Sequence, residues 1–318
     1  MDGRRALSVS EAVAAAGAEP ATGAADRLKR IAAIAAVAVA GTLIVGKGAA
    51  WFATGSVSVL SALIDSLVDL AASAINLLAI RQAIQPADRE HRFGHGKAEA
   101  LAGLAQAAFI SGSAAFLMIQ AGERLVHPVA VSNSEIGIAV MVLSMVLTLG
   151  LVVFQRFVVR RTRSVAIGAD SLHYTADLLT NSGVIVSLLL AAELGWKAAD
   201  PLFALGIGAV ILHGVWQILR QSLDQLMDRE LPEEDRARIR EIVKAHPGVV
   251  DMHDLRTRSS GSYTFIQLHL ELKADLSLRQ AHEIADAVMA DILRAYPQAE
   301  VLIHEDPYGV PEPRATFE

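Results

Sequence analysis

Cysteine is absent from all 318 residues, and charged residues make up only 19% of the chain. The first absence excludes disulfides and thiolate metal sites together, so any metal must be held by imidazole and carboxylate, a donor set that argues against cuprous ion. The second, with 53% hydrophobic residues and a mean hydropathy of +0.40, is too apolar for an ordinary soluble protein and points to a membrane class. A net charge of −6 carries no nucleic-acid signature. Catalytic motifs are missing as well. There is no His-Glu-x-x-His, so an intramembrane zinc protease lacks its general base. Residues from Gly41 to Lys47 follow most of a Walker A loop, but Gly48 stands where Ser or Thr must bind Mg²⁺. That match also lies inside an apolar run, where Lys47 is expected to snorkel to the outer interface. With neither a nucleotide site nor a nucleophile–base pair, an enzyme is the least supported class.

What the chain does have is six apolar runs near the ~20 residues a bilayer requires. They cover residues 28–52, 57–80, 98–122, 136–157, 164–192 and 201–219. Lys and Arg concentrate in alternate loops: Arg81, Arg89, Arg92 and Lys97 after the second run, and Arg156, Arg160, Arg161 and Arg163 after the fourth. By the positive-inside rule both termini are expected in the cytoplasm. Residues 1–25 read as a disordered tail; Arg4 and Arg5 imitate a signal-peptide start, but Glu11 and Glu19 interrupt the apolar stretch it would need. Residues 26–222 form the expected transmembrane domain, 223–308 a cytoplasmic domain and 309–318 a C-terminal tail.

The second and fifth runs carry charge where lipid solubility forbids it. Asp65 and Asp69 are four residues apart, as are His173 and Asp177, so each pair shares one face of a helix. Each ionised side chain left alone in hydrocarbon costs about 2.5–3.5 kcal/mol on insertion scales. Counting inward from the helix ends puts Asp69 and Asp177 near mid-membrane, with Asp65 and His173 about one ~5.4 Å turn to either side. Hydrogen bonding between helices would explain a lone carboxylate. Two matched pairs favour a four-ligand site for Zn²⁺, Cd²⁺, Fe²⁺ or Mn²⁺, and such ligands exchange protons for metal because they must deprotonate to bind. In the following loop Asp88, His91 and His95, spaced by three and four, suit either a second metal or a solvated polar turn.

From Asp228 the pattern becomes that of a soluble domain. A helix over 231–245, strands over 249–258 and 263–272 joined at residues 259–262, a helix over 278–295 and a strand over 299–304 give the order αββαβ. The expected fold class is an α-helical membrane protein with six transmembrane helices plus a small α+β, ferredoxin-like cytoplasmic domain. About 80 residues make a marginal core, so dimerisation or metal binding is expected to support it. His253, His269, His282, His304 and Asp306 are candidates to converge at a sheet edge. His127 and His246 precede prolines and read as turn residues, and His213 as a packed, hydrogen-bonded one.

Taken together, Gly55-Ser56-Val57-Ser58 leading into Asp65 and Asp69, Gln85-Pro86-Ala87-Asp88 through Phe93-Gly94-His95-Gly96-Lys97, Ala169-Asp170 through Asp177, and His253-Asp254-Leu255-Arg256-Thr257-Arg258 form a pattern. The chain resembles the cation diffusion facilitator family, in particular its bacterial zinc and ferrous-iron efflux branch, over residues 28–308. The resemblance implies a homodimeric antiporter exchanging metal for protons by alternating access in the bacterial inner membrane, without nucleotide or nucleic-acid partners. It assigns Asp65, Asp69, His173 and Asp177 to transport, and Asp88, His91 and His95 to a cytoplasmic loop site. It further assigns His253, His269, His282, His304 and Asp306 to a two-metal cluster in which Asp306 bridges, and Lys97 and Asp228 to charges that pair near the dimer's membrane surface. Glu305 departs from the pattern, standing where relatives carry an uncharged amide; an extra carboxylate there would tighten that cluster or change its metal preference.

Overall fold

Small and apolar residues at helical spacing build the membrane part of the chain. The computed structural model describes residues 20–55, 57–126, 135–194, 196 and 198–311. Contacts divide them into two compact units, Ala25–Leu226 and a C-terminal unit beginning at Met227. Six helices make the first: α1 (Pro20–Thr54), α2 (Val57–Ala83), α3 (Lys97–Val126), α4 (Glu135–Thr162), α5 (Val165–Leu194) and α6 (Ala199–Leu226). Helix α1 takes in residues 20–25 of the expected tail, because Pro20 suits a first helical position and the alanines after it are strong helix formers. The rest of that tail, residues 1–19, lies outside the described residues, as do His127 and most of the C-terminal tail.

Among the described residues, five helical segments are long and apolar enough to cross a membrane. Helix α5 spans 30 residues and carries Asp170, His173, Asp177 and Asn181 among its apolar ones. The bundle is turned inside out relative to a soluble protein: Phe116, Ile119, Val146 and Trp216 are each more than 60% exposed, while alanines fill the interior. His213 keeps the expected hydrogen bond, accepting from Gln217 one turn on, but it is exposed and not packed, because it shares an outward face with Leu212 and Trp216.

Close backbone approach holds α3 against α5 and α6. A Cβ on Gly103 would stand 2.6 Å from Ser222 Oγ and 2.8 Å from Val165 Cγ1, so only glycine fits. Two further devices set the start of α5. Arg163 adopts φ +52° and its N–H bonds the Val159 carbonyl, ending α4 in a left-handed turn. Ser164 then accepts from the Ile167 N–H and donates to Glu99 Oε2 at 2.5 Å; Glu99 in turn holds Lys29 at 2.5 Å. Lys29 and Glu99 are both nearly inaccessible, so this ion pair, hydrogen-bonded on its far side, ties α1, α3 and α5 together.

The C-terminal unit runs α7 (Glu233–Lys244), β1 (Asp251–Ser260), β2 (Tyr263–Leu272), α8 (Leu278–Ala295), β3 (Ala299–Pro307), the expected αββαβ order. The sheet order is β1-β2-β3, antiparallel then parallel, with α8 crossing over between β2 and β3. The hairpin is tighter than expected: Ser259 and Ser260 pair with Thr264 and Tyr263, leaving Gly261 (φ +61°) and Ser262 as the turn. A two-residue loop with a glycine at positive φ matches the twist of its strands. Ile266, Leu268, Leu270 and Leu272 of β2 pack on Ile239 and Val243 of α7 and on Ala285, Val288 and Ile292 of α8. Both helices therefore cover one sheet face. His246 acts as the expected turn residue, its Nδ1 accepting from the Gly248 N–H at 3.2 Å.

The Gly103 contact carries a prediction for the bundle. Gly103→Val should cost about 1–3 kcal/mol through overpacking, read as a lowered thermal midpoint in detergent, whereas Gly112→Ala, with open space at that position, should leave the midpoint unchanged.

Candidate metal centres

Three groups of imidazole and carboxylate, each with ligand atoms within 4.8 Å of one another, are found among the described residues: Asp69, His173 and Asp177; Asp88, His91 and His95; and His253, His269 and Asp306.

The first forms where α2 and α5 meet. His173 is 5% exposed, and its Nε2 lies 3.0 Å from Asp69 Oδ1 and 3.7 Å from Asp177 Oδ2. Its ring is packed edge-on against Phe109 and Tyr174. One turn along, Ser73 of α2 contacts Asp170 at 3.3 Å and the Tyr174 hydroxyl at 2.8 Å. The two helices thus meet rung by rung. Asp65 stands one turn before Asp69 on α2, exposed and outside the three-ligand group.

Asp170 is the feature to which the sequence reading gave no role. It is fully buried, and its carboxylate accepts from Gln155 Nε2 at 2.6 Å, Ser73 Oγ at 3.3 Å and Gln106 Nε2 at 3.4 Å. One side chain on α5 therefore pins α2, α3 and α4 around the helix that bears His173 and Asp177. Its signal was in the sequence as a further carboxylate about one turn before His173 and two before Asp177; its partners were not, since glutamines on separate apolar helices have no visible pairing. Lys47 Nζ donates to Ser66 Oγ at 2.7 Å, between the two carboxylates of α2.

The loop group is built around one carboxylate. Asp88 Oδ1 accepts from the backbone N–H of His91 at 2.6 Å and of Glu90 at 2.9 Å, which holds this exposed carboxyl below its usual range. Its other oxygen is 3.4 Å from His95 Nε2, and the His91 and His95 rings lie 4.5 Å apart. Gly94 at φ +76° turns the chain so that both imidazoles face Asp88. Lys97 follows at the head of α3 and donates to the Leu226 carbonyl at 3.4 Å.

The third group covers the sheet face opposite the helices. Strand alternation puts His253, His269 and His304 side by side, since His253 pairs with His269 and His269 with His304. Asp306, 4% exposed, contacts His269 Nδ1 at 2.8 Å and His253 Nε2 at 3.6 Å through Oδ2, and His304 Nε2 at 3.0 Å through Oδ1. Asp306 Oδ1 is buried without an aligned hydrogen bond among the described residues, and the histidines around it are ready donors, so the group fits a cation. A bulge follows His253, where Asp254 adopts φ +47°. His282 is not brought to this group. It stands on α8, exposed, 3.5 Å from Asp286 and 3.9 Å from Glu305, because Glu305 alternates to the helix side of β3. Asp228, in this unit, adopts φ +54° and accepts from Arg258 at 3.3 Å.

Glu271 belongs to the cluster and was missed from sequence. It is 8% exposed, directly beside Asp306, and 3.0 Å from His253 Nδ1. Its place two residues after His269 on one strand was the available signal. A carboxylate behind a ligating imidazole sets ring orientation and basicity. Glu271→Gln should therefore weaken divalent-metal binding by this unit about tenfold, and Asp306→Asn more severely, both read by calorimetric titration of the full-length chain.

Comparison with known sequences gives a consistent pattern. The cation efflux transmembrane domain matches residues 33–227, and the cytoplasmic domain of cation efflux proteins matches residues 231–308. The cation-efflux pump FieF of Klebsiella pneumoniae subsp. pneumoniae is 52% identical over 284 residues, covering 89% of this chain and 94% of that protein. FieF of Salmonella paratyphi A is 50% identical over the same shares. A solved structure of CzrB in its Zn form is 30% identical and covers 27% of this chain and 99% of its own, with a TM-score of 0.26.

Proposed function

The chain belongs to the cation efflux family, and from that premise we propose that it is a proton-coupled antiporter exporting divalent metal, with Zn²⁺ the leading cargo and Cd²⁺, Fe²⁺ and Mn²⁺ the alternatives. Efflux of divalent cations is the coarse activity of a cation efflux transporter, which is not an enzyme. The observation that carries the finer reading is the meeting of Asp69, His173 and Asp177 inside apolar helices. His173 Nε2 faces both carboxylates. That nitrogen holds either a proton or a metal ion, never both, so loading cargo displaces a proton from the same atom. Asp65, one turn away, completes the set as the fourth ligand and third oxygen donor when the helices adjust around an ion. Oxygen and nitrogen donors without sulfur suit Zn²⁺ and its borderline neighbours.

The transporter works as a homodimer by alternating access in the bacterial inner membrane, with both termini in the cytoplasm, where the loops rich in Arg and Lys lie. Asp88, His91 and His95 collect cation at the cytoplasmic surface. His253, His269, His304 and Asp306 hold metal in the cytoplasmic unit, where bound cation neutralises the buried carboxylates. The two oxygens of Asp306 face different imidazoles, which supports a bridging role. Each proton entering at −100 mV contributes about 2.3 kcal/mol, so the proton count decides how far a doubly charged cargo can be driven out.

Zinc flux into proteoliposomes under an imposed pH gradient tests this reading. Wild-type flux should follow the gradient, and Asp69→Ala should reduce it to the level of empty liposomes. Flux that ignores the gradient yet disappears in Asp69→Ala would make the protein a channel.

A further inference from the structure

Lys47 is the only Lys or Arg between Arg30 and Arg81 in the sequence. Helix α1 carries it, half-buried, into the bundle. A lysine there that merely escaped hydrocarbon would extend toward the interface. This one instead donates at 2.7 Å to the hydroxyl of Ser66, which is 1% exposed and lies on α2 between Asp65 and Asp69. The tether holds its ammonium within electrostatic reach of Asp69, Asp177 and Asp65. None of these carboxylates is its hydrogen-bond partner in the structure; the hydroxyl keeps the cation beside the ligands without engaging their oxygens.

We propose that Lys47 is the resident counter-charge of the transport site, setting how tightly cargo is held and how readily it leaves. The proposal rests on the assignment of Asp65, Asp69, His173 and Asp177 to transport. Three carboxylates carry three negative charges, and the tethered ammonium offsets one. The remaining two are what a single divalent cation cancels. A site balanced in this way avoids an uncompensated charge in hydrocarbon while the ion is bound. Repulsion between ammonium and ion also keeps affinity below what three carboxylates and an imidazole would otherwise supply. A transporter needs that weakening, because an ion held too tightly by its ligands is not released on the far side. Lys47 touches no ligand atom, so it acts as a positioning and affinity-setting residue rather than as a fifth ligand.

Zinc titration of the purified full-length chain tests the proposal on the binding component that Asp69→Ala removes. In Lys47→Met that component should tighten about tenfold, with KM for zinc falling and maximal flux in proteoliposomes falling by a similar factor. Lys47→Gln keeps a donor for Ser66 without the charge and should behave like Lys47→Met. Lys47→Arg keeps the charge and should stay close to wild type in both affinity and flux. Unchanged or weakened affinity in the folded Met and Gln variants overturns the proposal. So does tightening in Met alone, because the tether rather than the charge would then be responsible. If Asp69→Ala removes no binding component from the wild-type chain, the transport-site assignment itself fails, and the counter-charge loses its premise with it.

Discussion

An ionised side chain in hydrocarbon must find a partner, and in this protein that requirement decides which helices touch. Asp69 on α2 and His173 on α5 meet at 3.0 Å, and the next rung joins Ser73 to Asp170 and Tyr174. Neither helix gains from burying leucine against leucine, since lipid offers the same contact. Polar rungs and small residues supply the specificity instead. Asp170 extends the seam to α3 and α4 through two glutamine amides, while the Lys29–Glu99–Ser164 chain anchors the start of α5. The side chains of Asp69, His173 and Asp177 are thus held by a frame of hydrogen bonds on the neighbouring turns.

The C-terminal unit gathers its imidazoles and carboxylates by a different route. Strand alternation sends the leucines and isoleucines of β2 toward two helices and its polar residues to the other face. Three adjacent strands then align one histidine each at the same level, with Asp306 and Glu271 one step further on. The same parity sends Glu305 to the helix side, beside His282. Glu305 therefore faces a different neighbour from Asp306, although the two are consecutive in the chain.

The three groups share a chemistry, nitrogen and oxygen donors without sulfur, but differ in access. The loop group is largely open to water, with its turn locked by backbone donors to Asp88. The sheet group is partly covered, and the membrane group sits among apolar helices. Desolvation makes each ligand charge count for more as water is withdrawn, so the membrane group has the greatest need of charge balance. Lys47 lies beside that group, tethered to Ser66 between Asp65 and Asp69.

Much of this was legible in sequence because it is local. The i,i+4 spacing of Asp65 with Asp69 and of His173 with Asp177, the apolar run lengths, the period of β2 and the extent of α8 from Leu278 to Ala295 depend only on backbone geometry within one element. Family resemblance added the pairing of distant motifs. What periodicity could not reach are contacts between elements: the glutamines that close on Asp170, the turn of Lys47 toward Ser66, the separation of His282 from the sheet histidines and the carboxylate of Glu271 behind His253. A helix or strand period tells which residues share a face, but not the rotation and height at which that face meets another. Those are set by packing, by close approach at residues such as Gly103, and by the requirement that every buried charge be answered from a neighbouring element.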